Sequence, residues 1–207
     1  MTATSGSVQF DFGALLRQAW QLFVANAGLL LGAFVLLGLI GVIAGSLSMQ
    51  LANLVLAGPF SLGLATICLK TARGQQVEFA EAFSGFQRFL PAFMANLLML
   101  VFTTIGLVLF ILPGIFVMII YIFTYFCMYA ENLDFWPAME RSRTMVMANI
   151  GPFILLFFIV IAINAIGAIA CGIGLFVSLP VTALLIALVY DQAASASSFV
   201  SSDSASA

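Results

Sequence analysis

The sequence predicts an all-α polytopic membrane protein of about six transmembrane helices, built as three units of an amphipathic helix followed by a helical hairpin. Three observations lead to it. Hydrophobic side chains make up 64% of the 207 residues and charged ones only 7%, against about 45–50% and about 25% in soluble domains. Residues 18–69, 89–130 and 144–190 contain no Asp, Glu, Lys or Arg. A spanning helix needs about 20 apolar residues, so each run accommodates two helices and a turn. An amphipathic stretch precedes each hairpin.

The first unit covers 12–78. Ahead of it, 1–11 carries no Lys or Arg, unlike the charged start of a cleavable signal peptide, so the first apolar run is expected in the mature protein. Phe12, Leu15, Leu16, Ala19, Leu22 and Phe23 fall on one helical face, with Asp11, Arg17, Gln18 and Gln21 opposite. That pattern suits a helix lying at a membrane interface. Spanning helices are expected over 27–46 and 51–69, with turn residues at 45–50. Gly28, Gly32, Gly38, Gly41 and Gly45 crowd the first of them; small residues four apart let another backbone approach closely. Pro59 in the second is a potential kink.

The second unit, 79–134, repeats the plan. Phe79, Ala82, Phe83, Phe86 and Phe89 oppose Glu81, Ser84, Gln87 and Arg88. Spanning helices are expected over 91–112 and 115–130, with Pro113 and Gly114 as the turn. In the third unit, 135–191, Phe135, Ala138, Met139, Ser142 and Val146 face away from Glu140, Arg141 and Thr144. Helices over 151–170 and 175–190 follow, around a turn at Cys171, Gly172, Ile173 and Gly174; Pro180 is again a potential kink. Twelve Leu, Ile, Phe or Val in 153–170 stand against one Asn164, roughly 4–7 kcal/mol in favour of spanning. Three successive copies suggest triplication, all with one orientation because each holds an even number of crossings. The tail, 192–207, is small and polar and is expected to be disordered.

Six crossings place both termini and both long connections on one side, together with Arg17, Lys70, Arg73, Arg88, Arg141 and Arg143. The positive-inside bias makes that side the cytoplasm, with the inner membrane as location. All eight acidic residues fall there too. A net charge of -2 gives no basic field for nucleic acid. The absence of histidine removes the usual general base and zinc ligand. Cys68, Cys127 and Cys171 match no metal or disulfide spacing and read as small hydrophobes. No catalytic site, metal or cofactor is expected, and membrane lipids are the expected partners.

Two sets of residues carry the functional readings. The predicted spans hold neutral polar groups, chiefly Asn96, Thr103, Thr104 and Asn164. They either hydrogen-bond neighbouring helices or form a polar seam along which a solute or lipid headgroup moves. The second set is Glu140, Arg141 and Arg143, in the densest charged stretch, beside Trp136. Here the choice is between a solvated helix face and a docking surface for a cytoplasmic protein or anionic headgroup.

A further pattern runs from the second unit into the third: Leu112, Pro113, Gly114 and Ile115, then Glu131, Ala138 with Met139, Arg141 with Ser142, and Ala148 with Asn149. It resembles a group of bacterial inner-membrane proteins that includes the YciC-like family and the membrane domain attached to some glycerophosphoryl diester phosphodiesterases. The likeness is most specific over 112–149 and extends loosely over 12–190. It implies a helical membrane domain without an established activity and no catalytic residues to carry over. Those phosphodiesterases keep their active site in a separate soluble barrel, so their activity is not expected of these 207 residues. The expected function is lipid binding or stabilisation of a membrane complex, the alternative a permease or channel for a neutral or amphipathic solute.

Overall fold

The computed structural model describes residues 10–44, 50–169 and 174–205, and they are all-α. In chain order they form α1 (Phe12–Ala25), α2 (Ala27–Ala44), α3 (Gln50–Ala72), a 3-10 helix (Phe79–Arg88), α4 (Phe89–Leu109), α5 (Ile111–Ile120), α6 (Thr124–Ala130), α7 (Phe135–Ala148), α8 (Ile150–Ile169) and α9 (Leu175–Ala205). Five stretches are long and apolar enough to cross a membrane, or six if the bent pair α1 and α2 counts as one. Most of the two turns expected at 45–50 and 171–174 lies outside the described residues.

Each hairpin is preceded by a short helix that begins where the hydrophobic period places it, at Phe12, Phe79 and Phe135. The Asp11 carboxylate accepts the Ala14 N–H at 3.0 Å, satisfying one of the donors that a helix start leaves unpaired. α1 buries Leu15, Ala19 and Phe23 and packs on α9. Asn26 closes it: its side-chain amide and its backbone N–H both donate to the Leu22 carbonyl. There the chain turns by 87° into α2. α7 buries Ala138, Met139, Ser142 and Val146, four members of its expected apolar face.

The second short helix is a 3-10 helix instead of the expected α-helix. In a 3-10 helix, residues three apart eclipse one another, and Ala82 and Gly85 are the buried pair. Phe83 and Phe89 are exposed and join Phe86 and Phe93 in a ladder of rings. The cause is the approach of α3: a Cβ on Gly63 would collide with the Ala82 carbonyl, and one on Gly85 with the Pro59 carbonyl. The segment thus lies backbone to backbone along α3 and runs straight into α4, instead of forming a separate surface helix. α3 and α9 continue through Pro59 and Pro180.

Two breaks also differ from expectation. The turn of the second hairpin falls at Phe110, in extended backbone (φ -164°, ψ 151°), not at Pro113 and Gly114. Pro113 is the third residue of α5, in the first turn, where a missing N–H costs no helical bond. The expected helix 115–130 is divided at 121–123 into α5 and α6. Ser142, from α7, is the wedge: its hydroxyl accepts the Phe123 N–H at 3.2 Å and donates to the Ile120 carbonyl at 2.8 Å. A side chain inserted into the backbone ladder is a recognised cause of helix breaks.

After Asp191 the small, polar stretch continues α9, which runs to Ala205. Alanine is the best helix former, and elongating an existing helix avoids the cost of nucleation. Ser195 also donates its hydroxyl to the Asp191 carbonyl at 2.8 Å.

Side chains with almost no exposure include Ile67, Leu69, Phe123, Met128, Val146, Leu185 and Tyr190. They gather near the charged residues. Lys70 pairs with Glu81, Arg73 with Asp191 at 2.7 Å and Arg141 with Glu131 at 3.1 Å. Arg88 donates to the Met128 and Leu133 carbonyls at 2.8 and 2.7 Å. Over half of the α3 and α9 spans is buried, against 17% for Phe79–Leu109 and for α8. α3 and α9 are therefore the central helices, and α4 and α8 show most of their surface outward.

Candidate functional site

A groove of about 620 Å³ opens between α1, α8 and α9. Its position follows from the local structure on each side. α1 presents Leu16, Arg17, Trp20 and Gln21 to it, the face next to the stripe that packs on α9. α8 contributes Ile163, Ile166 and Gly167, and α9 contributes Val177, Ser178 and Val181. A Cβ on Gly167 would meet the Ser178 hydroxyl and the Gly174 carbonyl, so α8 and α9 nearly touch there. The walls are hydrocarbon and the polar groups sit mainly on α1, a division suited to an amphipathic ligand.

Behind the groove, Asn164 organises the α8 and α9 contact. Its amide donates to the Val160 carbonyl at 2.8 Å and to the Thr182 hydroxyl at 3.2 Å, and its carbonyl accepts from Ser178 at 3.0 Å. Asn96 has a different set of partners. It donates to the Leu54 carbonyl at 3.2 Å and accepts from the Tyr125 hydroxyl at 3.3 Å, joining α4 to α3 and α6. Among the described residues no hydrogen bond connects the two asparagines, and Thr103 and Thr104 join neither set. The four are not brought together as one seam, because each asparagine serves its own helix contact.

The charged candidates are paired within the chain. Glu140 and Arg143 form an exposed ion pair one helical turn apart. The Arg143 hydrogen bond holds the Glu140 carboxyl below its usual range, and the carboxylate pushes the guanidinium up. Arg141 reaches across to Glu131, whose carboxylate also accepts from Tyr190 at 3.4 Å. Arg17 differs from the other five cations. It is exposed at the groove and has no hydrogen-bond or ion-pair partner among the described residues. Periodicity places Arg17 on the polar face of α1; the groove itself arises from a helix more than 140 residues downstream, which no local pattern reports.

A smaller cleft of about 260 Å³ lies between α3, the 3-10 helix and α6, lined in part by Thr66, Ser84, Arg88 and Tyr129. Its Arg88 is committed to backbone carbonyls. Among the described residues no group of three or more Cys, Asp or Glu is placed to hold a metal ion. Compared with known proteins, the chain matches no family, no curated protein and no solved structure.

Proposed function

We propose that the protein is a multi-pass protein of a bacterial inner membrane that acts by binding lipid, with both termini in the cytoplasm. The observation that carries the reading is the groove between α1, α8 and α9, with apolar walls and its cation on α1. A permease path would need polar groups left free for a solute. The Asn96 and Asn164 amides are instead spent on helix contacts, which favours binding over transport. The gathering of Lys70, Arg73, Arg88, Arg141 and Arg143 with their acidic and carbonyl partners supports the orientation, and the resemblance of 112–149 to bacterial inner-membrane proteins supports the location.

Native mass spectrometry of the protein released gently with its surrounding lipid tests the reading. Retained lipid at a defined stoichiometry is the expected result. A protein stripped to its bare mass under conditions that keep it folded, together with solute flux in proteoliposomes, would replace lipid binding with transport.

A further inference from the structure

The groove and the charge inventory together select a ligand class. Resting on the lipid-binding reading, we propose that the groove between α1, α8 and α9 binds an anionic phospholipid, with Arg17 and Gln21 on its phosphate and an acyl chain against Ile163, Ile166, Val177 and Val181.

Charge complementarity carries the argument. The chain has six Lys and Arg. Five are engaged: Lys70, Arg73, Arg141 and Arg143 by carboxylates, Arg88 by two backbone carbonyls. Arg17 alone faces the groove without a partner among the described residues. A guanidinium with free N–H groups is a strong donor to a phosphate, whose oxygens can accept two bonds from it at once.

Geometry fits a lipid better than a free phosphate. α1 packs on α9, and Arg17 and Gln21 share one continuous groove with Ile163, Ile166, Val177 and Val181, so a headgroup and the chain attached to it can be held together. Trp20 is half exposed beside Arg17, and tryptophan collects at headgroup depth. From Val181 to Gly174 the α9 wall runs about 10 Å at 1.5 Å per residue, room for part of an acyl chain. Ser178, the polar group on that wall, has its hydroxyl turned to Asn164, which leaves the wall apolar to a chain.

The test uses the full chain in nanodiscs of phosphatidylglycerol and phosphatidylcholine mixed equally, with co-purified lipid quantified by mass spectrometry. Wild type should enrich phosphatidylglycerol. R17Q should lose about fivefold of that enrichment, the effect of one basic residue at a membrane surface. R143Q should leave it unchanged, and I166W, which fills the groove, should reduce bound lipid of both kinds. Bound lipid without headgroup preference, or equal preference in R17Q, would overturn the proposal while lipid binding stood. No lipid retained by wild type would overturn both. Enrichment that survives I166W in a folded protein would place the lipid elsewhere and also overturn the proposal.

Discussion

Arg73 and Asp191 are 118 residues apart in the chain, and the arginine Nε donates to the aspartate Oδ1 at 2.7 Å. The bond ties the end of α3, in the first unit, to α9, in the third, so the two central helices are pinned together at their charged ends. Both side chains are about one-third exposed, and solvent screening limits what such a pair contributes. A double-mutant cycle with R73A and D191A should return a coupling of about 0.2–1 kcal/mol. Thermal unfolding in detergent at low and at high salt measures it, and the coupling should shrink with salt.

Close backbone packing should be far less forgiving. G63A and G85A each drive a methyl into a carbonyl across the contact of α3 with the 3-10 helix, and overpacking of this kind costs about 1–3 kcal/mol. Gly28 and Gly151 have open space around them, so alanine there should be neutral or stabilise by up to about 1 kcal/mol. Thermal midpoints of the four variants in one detergent decide the matter. Equal behaviour would mean that the contact is not as close as described.

Ser142 is buried and serves two backbone groups. S142A should destabilise by about 1–3 kcal/mol, because the Phe123 N–H loses its acceptor in the interior. S142C, bulkier and a weaker partner, should not rescue it. Hydrogen exchange at Phe123 is the specific readout and should accelerate in both variants.

The Glu140 and Arg143 pair gives a prediction for pH. Because the Glu140 pKa is lowered on folding, its contribution is complete above the usual carboxylate range and is lost as pH falls through the lowered value. The pair is exposed, so the contribution is small throughout. Between about pH 5 and pH 8, where carboxylates stay ionised, E140Q should follow the wild-type thermal midpoint without a pH trend. A midpoint difference that grew with pH in that range would show that Glu140 titrates near neutrality.

Helix pairing and helix starts were legible because they depend on local patterns. Charge-free runs marked the hairpins, and a 3.6-residue period put Ala138, Met139, Ser142 and Val146 on the buried side of α7. What escaped depends on partners distant in sequence. Nothing local to 79–88 announces a 3-10 helix; Gly63 and Pro59 impose it from α3. Likewise the break at 121–123 is made by a serine about twenty residues later. The charged candidates were visible as a cluster, but only the fold shows that their charges are spent on one another and that Arg17 stands apart.

The turn between α4 and α5 has one more consequence. Leu109, Phe110, Ile111 and Leu112 are 66–80% exposed, and no Trp, Tyr, Lys or Arg stands among them. Those are the side chains that moor a helix end at a chosen height in a bilayer. The tip of this hairpin is unmoored, so its depth must be gauged from the base. There Arg88 grips the Met128 and Leu133 carbonyls, closing the two legs of the hairpin on each other at the end opposite the apolar tip.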